Sequence, residues 1–155
     1  MKTLVMYFSA ESGKTAALAK VIAEEVTADL FEIKPEKPYT RADLNYLNPV
    51  SRVNLEKIGN KDVPTAGAPE QFDQYDQVLI GFPIWYAGAP NVVTTLCKSL
   101  DWNGKKVAVF ATSGGSGIGK TAEKLAPFVK GAEIKDAKLF EAADAETVKV
   151  WLKKL

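Results

Sequence analysis

A glycine-rich stretch in the second half of the chain is the first candidate for chemistry. It reads TSGGSGIGKT over residues 112–121 and contains Gly-x4-Gly-Lys-Thr from Gly114 to Thr121. The same pattern forms the phosphate-binding loop of nucleotide hydrolases, where backbone N–H groups and the lysine hold phosphates and the hydroxyl binds Mg²⁺. Residues 117–122, GIGKTA, also fit the looser Gly-x-Gly-x-x-Ala dinucleotide pattern. Because the two motifs are incompatible, neither match alone assigns a ligand.

Nucleotide hydrolysis needs a second element, an Asp at the end of a neighbouring hydrophobic strand that organises Mg²⁺. The candidate strands of this chain end in FSAES, GFPIW and AKLFEA, and none supplies that Asp. A hydrolase using residues 114–121 is therefore kept as an alternative, as is a non-catalytic α/β binding domain.

Composition limits the other chemistry. The chain has 155 residues, 46% of them hydrophobic, which fits one domain with a full core. It has 20 Lys and Arg against 19 Asp and Glu, so neither nucleic acid nor a membrane surface is expected as a partner. There is no His and a single cysteine, Cys97, which excludes imidazole bases, His-bound metals and intrachain disulfides. Difficult chemistry must come from a bound cofactor or from carboxylate, Lys, Tyr and hydroxyl side chains, and we expect no metal.

Targeting signals are short or missing. The apolar run at the N-terminus, residues 4–8, is too short for a signal peptide, and no stretch has the length of a transmembrane helix. We therefore expect a cytoplasmic protein.

Short apolar runs alternate with helical patterns along the chain, as in a parallel sheet buried on both faces. Strands are predicted at residues 3–8, 28–33, 76–82, 105–111 and 136–142, and helices at 13–26, 90–100, 118–130 and the C-terminus. Residues 34–70 are polar and predict a surface flap or insertion with a short helix around 41–47. The fold class is α/β, a three-layer doubly wound sandwich with a five-stranded parallel sheet in a single domain, 1–155.

Ligands of doubly wound sheets bind beyond the carboxyl ends of the strands. The segment after the first strand groups hydroxyls and a turn glycine before a helix, which favours an anion site. The segment after the third strand places two adjacent aromatic side chains, Trp85 and Tyr86, where a flat ring could stack or where they could join the core. The glycine-rich stretch supplies backbone amides. Together these segments predict a site for a flat, phosphorylated, redox-active molecule such as FMN.

The segments YFSAESGKTAALAK, GFPIWYAGAP and ATSGGSGIGKT, in this order and spacing, resemble the short flavodoxin-like FMN proteins of bacteria. The resemblance implies strand order 2-1-3-4-5, FMN as the cofactor and no catalytic side chain. The implied phosphate contacts are Ser9, Ala10, Ser12, Gly13, Lys14 and Thr15. The implied ring contacts are Pro83, Ile84, Trp85, Tyr86, Thr112, Ser113, Gly114, Gly115 and Gly117.

The resemblance implies electron transfer, and two forms of it stay open. One is a flavodoxin-type carrier that docks to a protein, and the other is a small FMN-dependent reductase that takes electrons from NAD(P)H and reduces a small molecule such as a quinone. A net charge of +1 favours the reductase, because electron carriers of this family are usually strongly acidic. The stretch at residues 39–52 could close over the flavin and contribute Tyr39, Asn48 or Arg52 to a substrate, or it could form the interface of a homodimer.

Overall fold

The fold is given by a computed structural model that describes residues 1–10, 13–113 and 115–155. In this part of the chain the strands form one five-stranded sheet in the order β2-β1-β3-β4-β5, with every neighbouring pair parallel. The predicted fold class and strand order are confirmed. The strands are β1 (Thr3–Tyr7), β2 (Asp29–Glu32), β3 (Gln77–Pro83), β4 (Lys106–Thr112) and β5 (Glu133–Leu139).

Helices connect successive strands and cover both faces of the sheet. They are α1 (Lys14–Val26), α2 (Arg52–Ile58), α3 (Asn91–Lys98), α4 (Thr121–Leu125) and α5 (Ala145–Leu152), with short 3-10 turns at Phe72–Gln74 and Ala126–Phe128. No helix in the described ranges is long and apolar enough to cross a membrane.

Alternate side chains of the central strands point to two separate cores. On one face Val5 and Leu79 pack with α1 and α5, and Trp151 of α5 belongs to this cluster. On the other face Met6 and Ile80 join α3, α4 and the buried part of the connecting segments. This division follows from the period of two along a strand, and it makes the molecule three layers thick.

Trp102, Trp151 and Cys97 are core residues. Trp102 and Trp151 are buried, and each packs edge-on against a phenylalanine ring. Cys97 is fully buried, and burial raises the pKa of its thiol to about 12. A thiol so protonated is unreactive at neutral pH.

Backbone hydrogen bonds continue past the carboxyl ends of the three middle strands. Phe8 donates to the Gly81 carbonyl at 2.9 Å, and Ile84 donates to the Thr112 carbonyl at 2.8 Å. The turns after β1, β3 and β4 therefore start side by side at one edge of the sheet.

The segment at residues 34–70 differs from the prediction. Residues 41–47 form turns instead of a helix, because Asp43 and Asn45 bind nearby backbone N–H groups through their side chains. The helix lies later, at Arg52–Ile58, after Ser51 in the N-cap position.

Two predicted elements at the C-terminal end are displaced. The helix expected at 118–130 is only Thr121–Leu125 followed by the 3-10 turn with Pro127, whose ring cannot continue a regular helix. The last strand runs from Glu133 to Leu139, before the predicted 136–142, because this edge strand has no fully buried residue and carries little apolar signal.

Candidate functional site

A cavity of about 1010 Å³ lies where the turns after β1, β3 and β4 meet. The sequence analysis predicted that these three turns converge, and the structure brings them together. The predicted site residues that line the cavity are Ala10, Lys14, Pro83, Ile84, Trp85, Tyr86, Thr112, Ser113 and Gly115. Two further predicted residues, Ser12 and Gly114, lie outside the described residues. Contact of each residue with FMN stays a prediction.

The start of α1 forms one end of the cavity. Gly13 is its N-cap with φ of 71°, a left-handed conformation that glycine adopts without steric cost. Ser9 accepts a hydrogen bond from the Ala16 N–H at 3.2 Å, so its hydroxyl ties the turn to the helix. The exposed side chain of Lys14 reaches the cavity. A helix N-terminus beside a lysine is an electrostatically favourable place for an anion.

Not every predicted residue at this end reaches the cavity. Thr15 is 2% exposed, and its hydroxyl lies 2.8 Å from the hydroxyl of Thr112. Ser9 lines a neighbouring cavity of about 520 Å³, which shares Ala10 and Leu44 with the first. Gly13 is likewise absent from the lining of the larger cavity. Thr15 thus links two site segments from inside the core.

The aromatic wall is built around Trp85. Its half-buried ring packs edge-on against Phe8 with the ring centroids 5.4 Å apart, and against Tyr39 at 5.5 Å. These perpendicular contacts fix the plane of the indole. The structure is consistent with both interpretations of Trp85, packing in the core and stacking on a flat ring. The side chain packs on the core and also lines the cavity.

Tyr86 belongs to a tight hairpin turn. Trp85 and Gly88 exchange backbone hydrogen bonds of 2.9 and 3.1 Å, and the two residues between them, Tyr86 and Ala87, have φ of 53° and 64°. Positive φ at both central positions is the geometry of a type I′ turn, which usually contains Asn or Gly. Other residues there cost roughly 1–2 kcal/mol each. Surrounding contacts must hold the turn, and one of them is the hydrogen bond of 3.2 Å from Lys124 Nζ to the Ala87 carbonyl.

The glycine-rich stretch closes another side of the cavity. The Ser113 hydroxyl lies 2.8 Å from the Ser116 hydroxyl and accepts a hydrogen bond from the Gly115 N–H at 3.1 Å. Ser116 lines the cavity, although the sequence analysis did not select it. The sequence signal that could have identified Ser116 is its position between Gly115 and Gly117, two of the predicted ring contacts. Gly117 is exposed and does not line the cavity.

The segment at 34–70 also contributes to the lining, through Leu44, Tyr46 and Val53. The sequence analysis missed all three residues as cavity contacts, because no motif marks them and only the tertiary fold brings them to the turns after the strands. Tyr46 is 72% exposed, so it stands at the mouth of the cavity.

A polar cluster anchors this segment. The Arg52 guanidinium lies 4.1 Å from the centre of the Tyr39 ring and donates to Glu56 at 3.0 Å and to the Lys37 carbonyl at 2.7 Å. Tyr39 donates its hydroxyl hydrogen to the same carboxylate at 2.6 Å. The sequence analysis considered Tyr39, Arg52 and Asn48 as substrate contacts, but the structure places none of these side chains in the cavity lining.

The titratable groups near the cavity favour binding over acid–base chemistry. Burial raises the pKa of Tyr86 above its ordinary value of 10.0. Burial, followed by the hydrogen bond to Glu56, raises the pKa of Tyr39 as well. Both phenols are therefore neutral at physiological pH. Within the described ranges, no group of three or more His, Cys, Asp or Glu could hold a metal ion.

The hydrolase alternative does not agree with the position of Thr121. Its side chain is fully buried, and its hydroxyl donates to the Ile118 carbonyl, so it does not face a cavity where Mg²⁺ could bind. The lysine of the same motif, Lys120, is the exposed N-cap residue of the five-residue helix α4. The motif match is explained as a helix start.

Known proteins resemble this chain in sequence and fold. The family model described as Flavodoxin matches residues 2–155. Crystal structures of two proteins considered to be flavoproteins superpose with a TM-score of 0.92 each. The protein from Bacteroides uniformis is 40% identical over 98% of this chain and 97% of its own. The protein from Bacteroides eggerthii is 37% identical over 98% of this chain and 96% of its own.

A third structure, a flavoprotein from Lactobacillus acidophilus in complex with FMN, is 26% identical and has a TM-score of 0.70. It covers 97% of this chain and 98% of its own. Comparison with curated proteins gave no match. Sequence and fold thus agree over nearly the whole length, and the chain is a member of the flavodoxin family.

Proposed function

We propose that the chain binds FMN in the cavity between the turns after β1, β3 and β4 and uses it to transfer electrons. The observation that carries the proposal is the convergence of Lys14, Trp85 and Ser113 on one cavity, because they supply a cation, an aromatic plane and a polar edge. A family relative from Lactobacillus acidophilus forms a complex with FMN, which supports the same ligand here.

The residues present fit FMN. A cavity of about 1010 Å³ is large enough for a cofactor of this size, and small-molecule sites usually measure about 300–1,000 Å³. Its apolar part, around Ile84 and Trp85, suits the isoalloxazine ring, and the N-terminus of α1 with Lys14 suits the phosphate. Ser113, Ser116 and the backbone of Gly115 would serve the polar edge of the ring.

FMN, when bound, supplies the reversible uptake and release of electrons, and the protein supplies its surroundings. Trp85 and Tyr86 would cover the ring and exclude water. Hydroxyls and backbone amides of the 112–117 stretch would adjust its reduction potential through hydrogen bonds. No carboxylate side chain is among the described residues that line the cavity, and we assign no proton transfer to a side chain.

The proposed reaction is the reduction of a small, flat acceptor such as a quinone, with NAD(P)H as the electron donor. The net charge of +1 supports a small-molecule acceptor over docking to a basic protein partner. Tyr46 at the cavity mouth offers an aromatic surface for such an acceptor. Steady oxidation of NAD(P)H with quinone supports the reductase, whereas a flavin that is reduced only by a partner protein identifies a carrier.

The binding site can be tested by fluorescence titration of the apoprotein with FMN and with riboflavin. Trp85→Leu should weaken FMN binding about 5- to 150-fold, as expected from stacking of about 1–3 kcal/mol, and Trp85→Phe should recover part of the affinity. Lys14→Gln should weaken FMN binding about tenfold and leave riboflavin binding unchanged.

Lys20→Gln, an exposed lysine on the same helix but outside the cavity lining, is the matched control and should bind FMN as the wild type does. Equal FMN affinity of the wild type, Trp85→Leu and Lys14→Gln would show that the cofactor binds elsewhere.

A further inference from the structure

We propose that Asn54 is a positioning residue that fixes two parts of the cavity wall relative to each other. One part is the turn with Tyr86, and the other is the segment from Leu44 to Asn48. The inference rests on the proposed function, because its purpose is to hold the surfaces that would contact the flavin and its acceptor. Asn54 itself does not line the cavity.

The side chain of Asn54 bridges the two parts through three hydrogen bonds. It lies on α2, is only 9% exposed, and donates from Nδ2 to the Tyr46 carbonyl at 2.8 Å and to the Asn48 carbonyl at 2.7 Å. Its Oδ1 accepts the hydroxyl hydrogen of Tyr86. Both hydrogens of Nδ2 and the acceptor Oδ1 are used. A side chain without an amide, such as alanine, cannot make this bridge.

The orientation of this amide follows from its partners. Backbone carbonyls only accept hydrogen bonds, so the atom that faces the Tyr46 and Asn48 carbonyls must be Nδ2. Oδ1 is then left facing Tyr86, and the phenol must donate. An aspartate at this position would keep the acceptor for Tyr86 but would turn two donors into acceptors beside two carbonyls.

Tyr86 needs an anchor because its backbone is held in an unfavourable conformation. With Ala87 it forms the two left-handed positions of the hairpin turn, and its side chain is 42% exposed. The Tyr86 hydroxyl at the end of this side chain is held by its hydrogen bond to Asn54. Without it, the ring would sample rotamers in which it leaves the cavity wall.

Asn91 provides a matched control within the same protein. Its Nδ2 also donates to two backbone carbonyls, those of Glu56 at 3.1 Å and Lys61 at 2.9 Å, at the other end of α2. It does not line the larger cavity. Asn54→Ala and Asn91→Ala therefore remove the same kind of bridge, but only Asn54 is hydrogen-bonded to residues that line the larger cavity, Tyr46 and Tyr86.

The first test is titration of the apoproteins with FMN at a temperature where each variant is folded. Asn54→Ala should raise the Kd about tenfold, and Asn91→Ala should leave it within about twofold of the wild type. Tyr86→Phe, which removes only the phenol oxygen, should raise the Kd about threefold. Adding it to Asn54→Ala should cause no further loss, since both changes break the same hydrogen bond.

The second test needs no cofactor and so stays decisive if FMN does not bind. In apoprotein labelled with 3-fluorotyrosine, the ¹⁹F resonance of Tyr86 is assigned by its loss in Tyr86→Phe. We expect Asn54→Ala to move this resonance toward that of free fluorotyrosine, and Asn91→Ala to leave it in place.

An unmoved resonance in Asn54→Ala, or equal losses of affinity in Asn54→Ala and Asn91→Ala, would overturn the positioning role. A wild type that binds no FMN would instead refute the proposed function, while the ¹⁹F result would still decide whether Asn54 holds Tyr86.

Discussion

The hydroxyl oxygens of Thr15 and Thr112 lie 2.8 Å apart in the core, although the residues are 97 positions apart in the sequence. Thr15 is in the first turn of α1, and Thr112 is the last residue of β4. Their hydrogen bond joins the segment that starts the proposed phosphate site to the strand that leads into the glycine-rich stretch. The relative position of these two site segments therefore depends on a buried polar contact.

Removing one partner of this contact should destabilise the protein more than removing both. Thr15→Val or Thr112→Val alone leaves a buried hydroxyl without its partner, which costs about 1–3 kcal/mol of unfolding free energy. The double variant should cost less than the worse single variant. Urea unfolding of the wild type and the three variants gives the comparison. Additive losses in the double variant would mean that the two hydroxyls are energetically independent.

Gly81 should not tolerate a larger side chain. A Cβ atom at this position of β3 would lie 2.0 Å from Cε2 and 2.2 Å from Cζ of the buried Phe110 ring. Gly81→Ala should therefore lower the free energy of unfolding by about 3 kcal/mol, and Phe110→Leu in the same chain should restore part of it.

Gly117→Ala is the control, because a Cβ there has no atom within 4 Å and should change the stability by less than about 0.5 kcal/mol. Equal melting temperatures of Gly81→Ala and the wild type would show that Phe110 can move aside.

A substitution in the strained turn at Tyr86 and Ala87 should stabilise the protein. Ala87 is exposed and has φ of 64°, so Ala87→Gly should stabilise the protein by about 1 kcal/mol because glycine adopts this conformation freely. Ala17→Gly, at an exposed position inside α1, should destabilise it by about 1 kcal/mol. Thermal unfolding measures both. If Ala87→Gly lowered the melting temperature as Ala17→Gly does, the turn would not be strained at this residue.

Alkaline pH should destabilise the protein partly through Tyr39. Burial, and then its hydrogen bond to Glu56, raises the pKa of this phenol above the ordinary value of 10.0. The unfolded chain therefore loses the proton at lower pH than the folded chain, so the stability is present below about pH 10 and falls as the pH rises further.

Tyr39→Phe should show a shallower loss of unfolding free energy between about pH 9 and about pH 11. A slope in Tyr39→Phe as steep as in the wild type would exclude Tyr39 as a contributor.

The sheet could be predicted from the sequence because its central strands are nearly continuous apolar runs. β3 and β4 are buried along almost their whole length. A continuous apolar sequence of this kind is typical of a strand that is covered on both faces. The convergence of three turns followed from the rule that the carboxyl ends of parallel strands share one edge. These features depend on local pattern and topology.

The remaining features depend on tertiary contacts that have no local signature. The side chains of Asp43 and Asn45 accept hydrogen bonds from nearby backbone N–H groups. Residues 41–47 therefore form turns, although their sequence pattern predicts a helix. Leu44 and Tyr46 reach the cavity only because the 34–70 segment is anchored to the body of the protein. Contact of Thr15 with the phosphate stays a prediction, but its hydrogen bond to Thr112 could not be predicted, because no sequence pattern connects the two residues.

The central claim is that the turns after β1, β3 and β4 form a single FMN site. Its most direct test is a crystal structure of the protein grown at saturating FMN. We predict the isoalloxazine ring against Trp85, its polar edge at the Ser113–Ser116 stretch, and the phosphate at the start of α1 beside Lys14. Density for FMN at another surface, or a cavity that holds only water at saturation, would contradict the account.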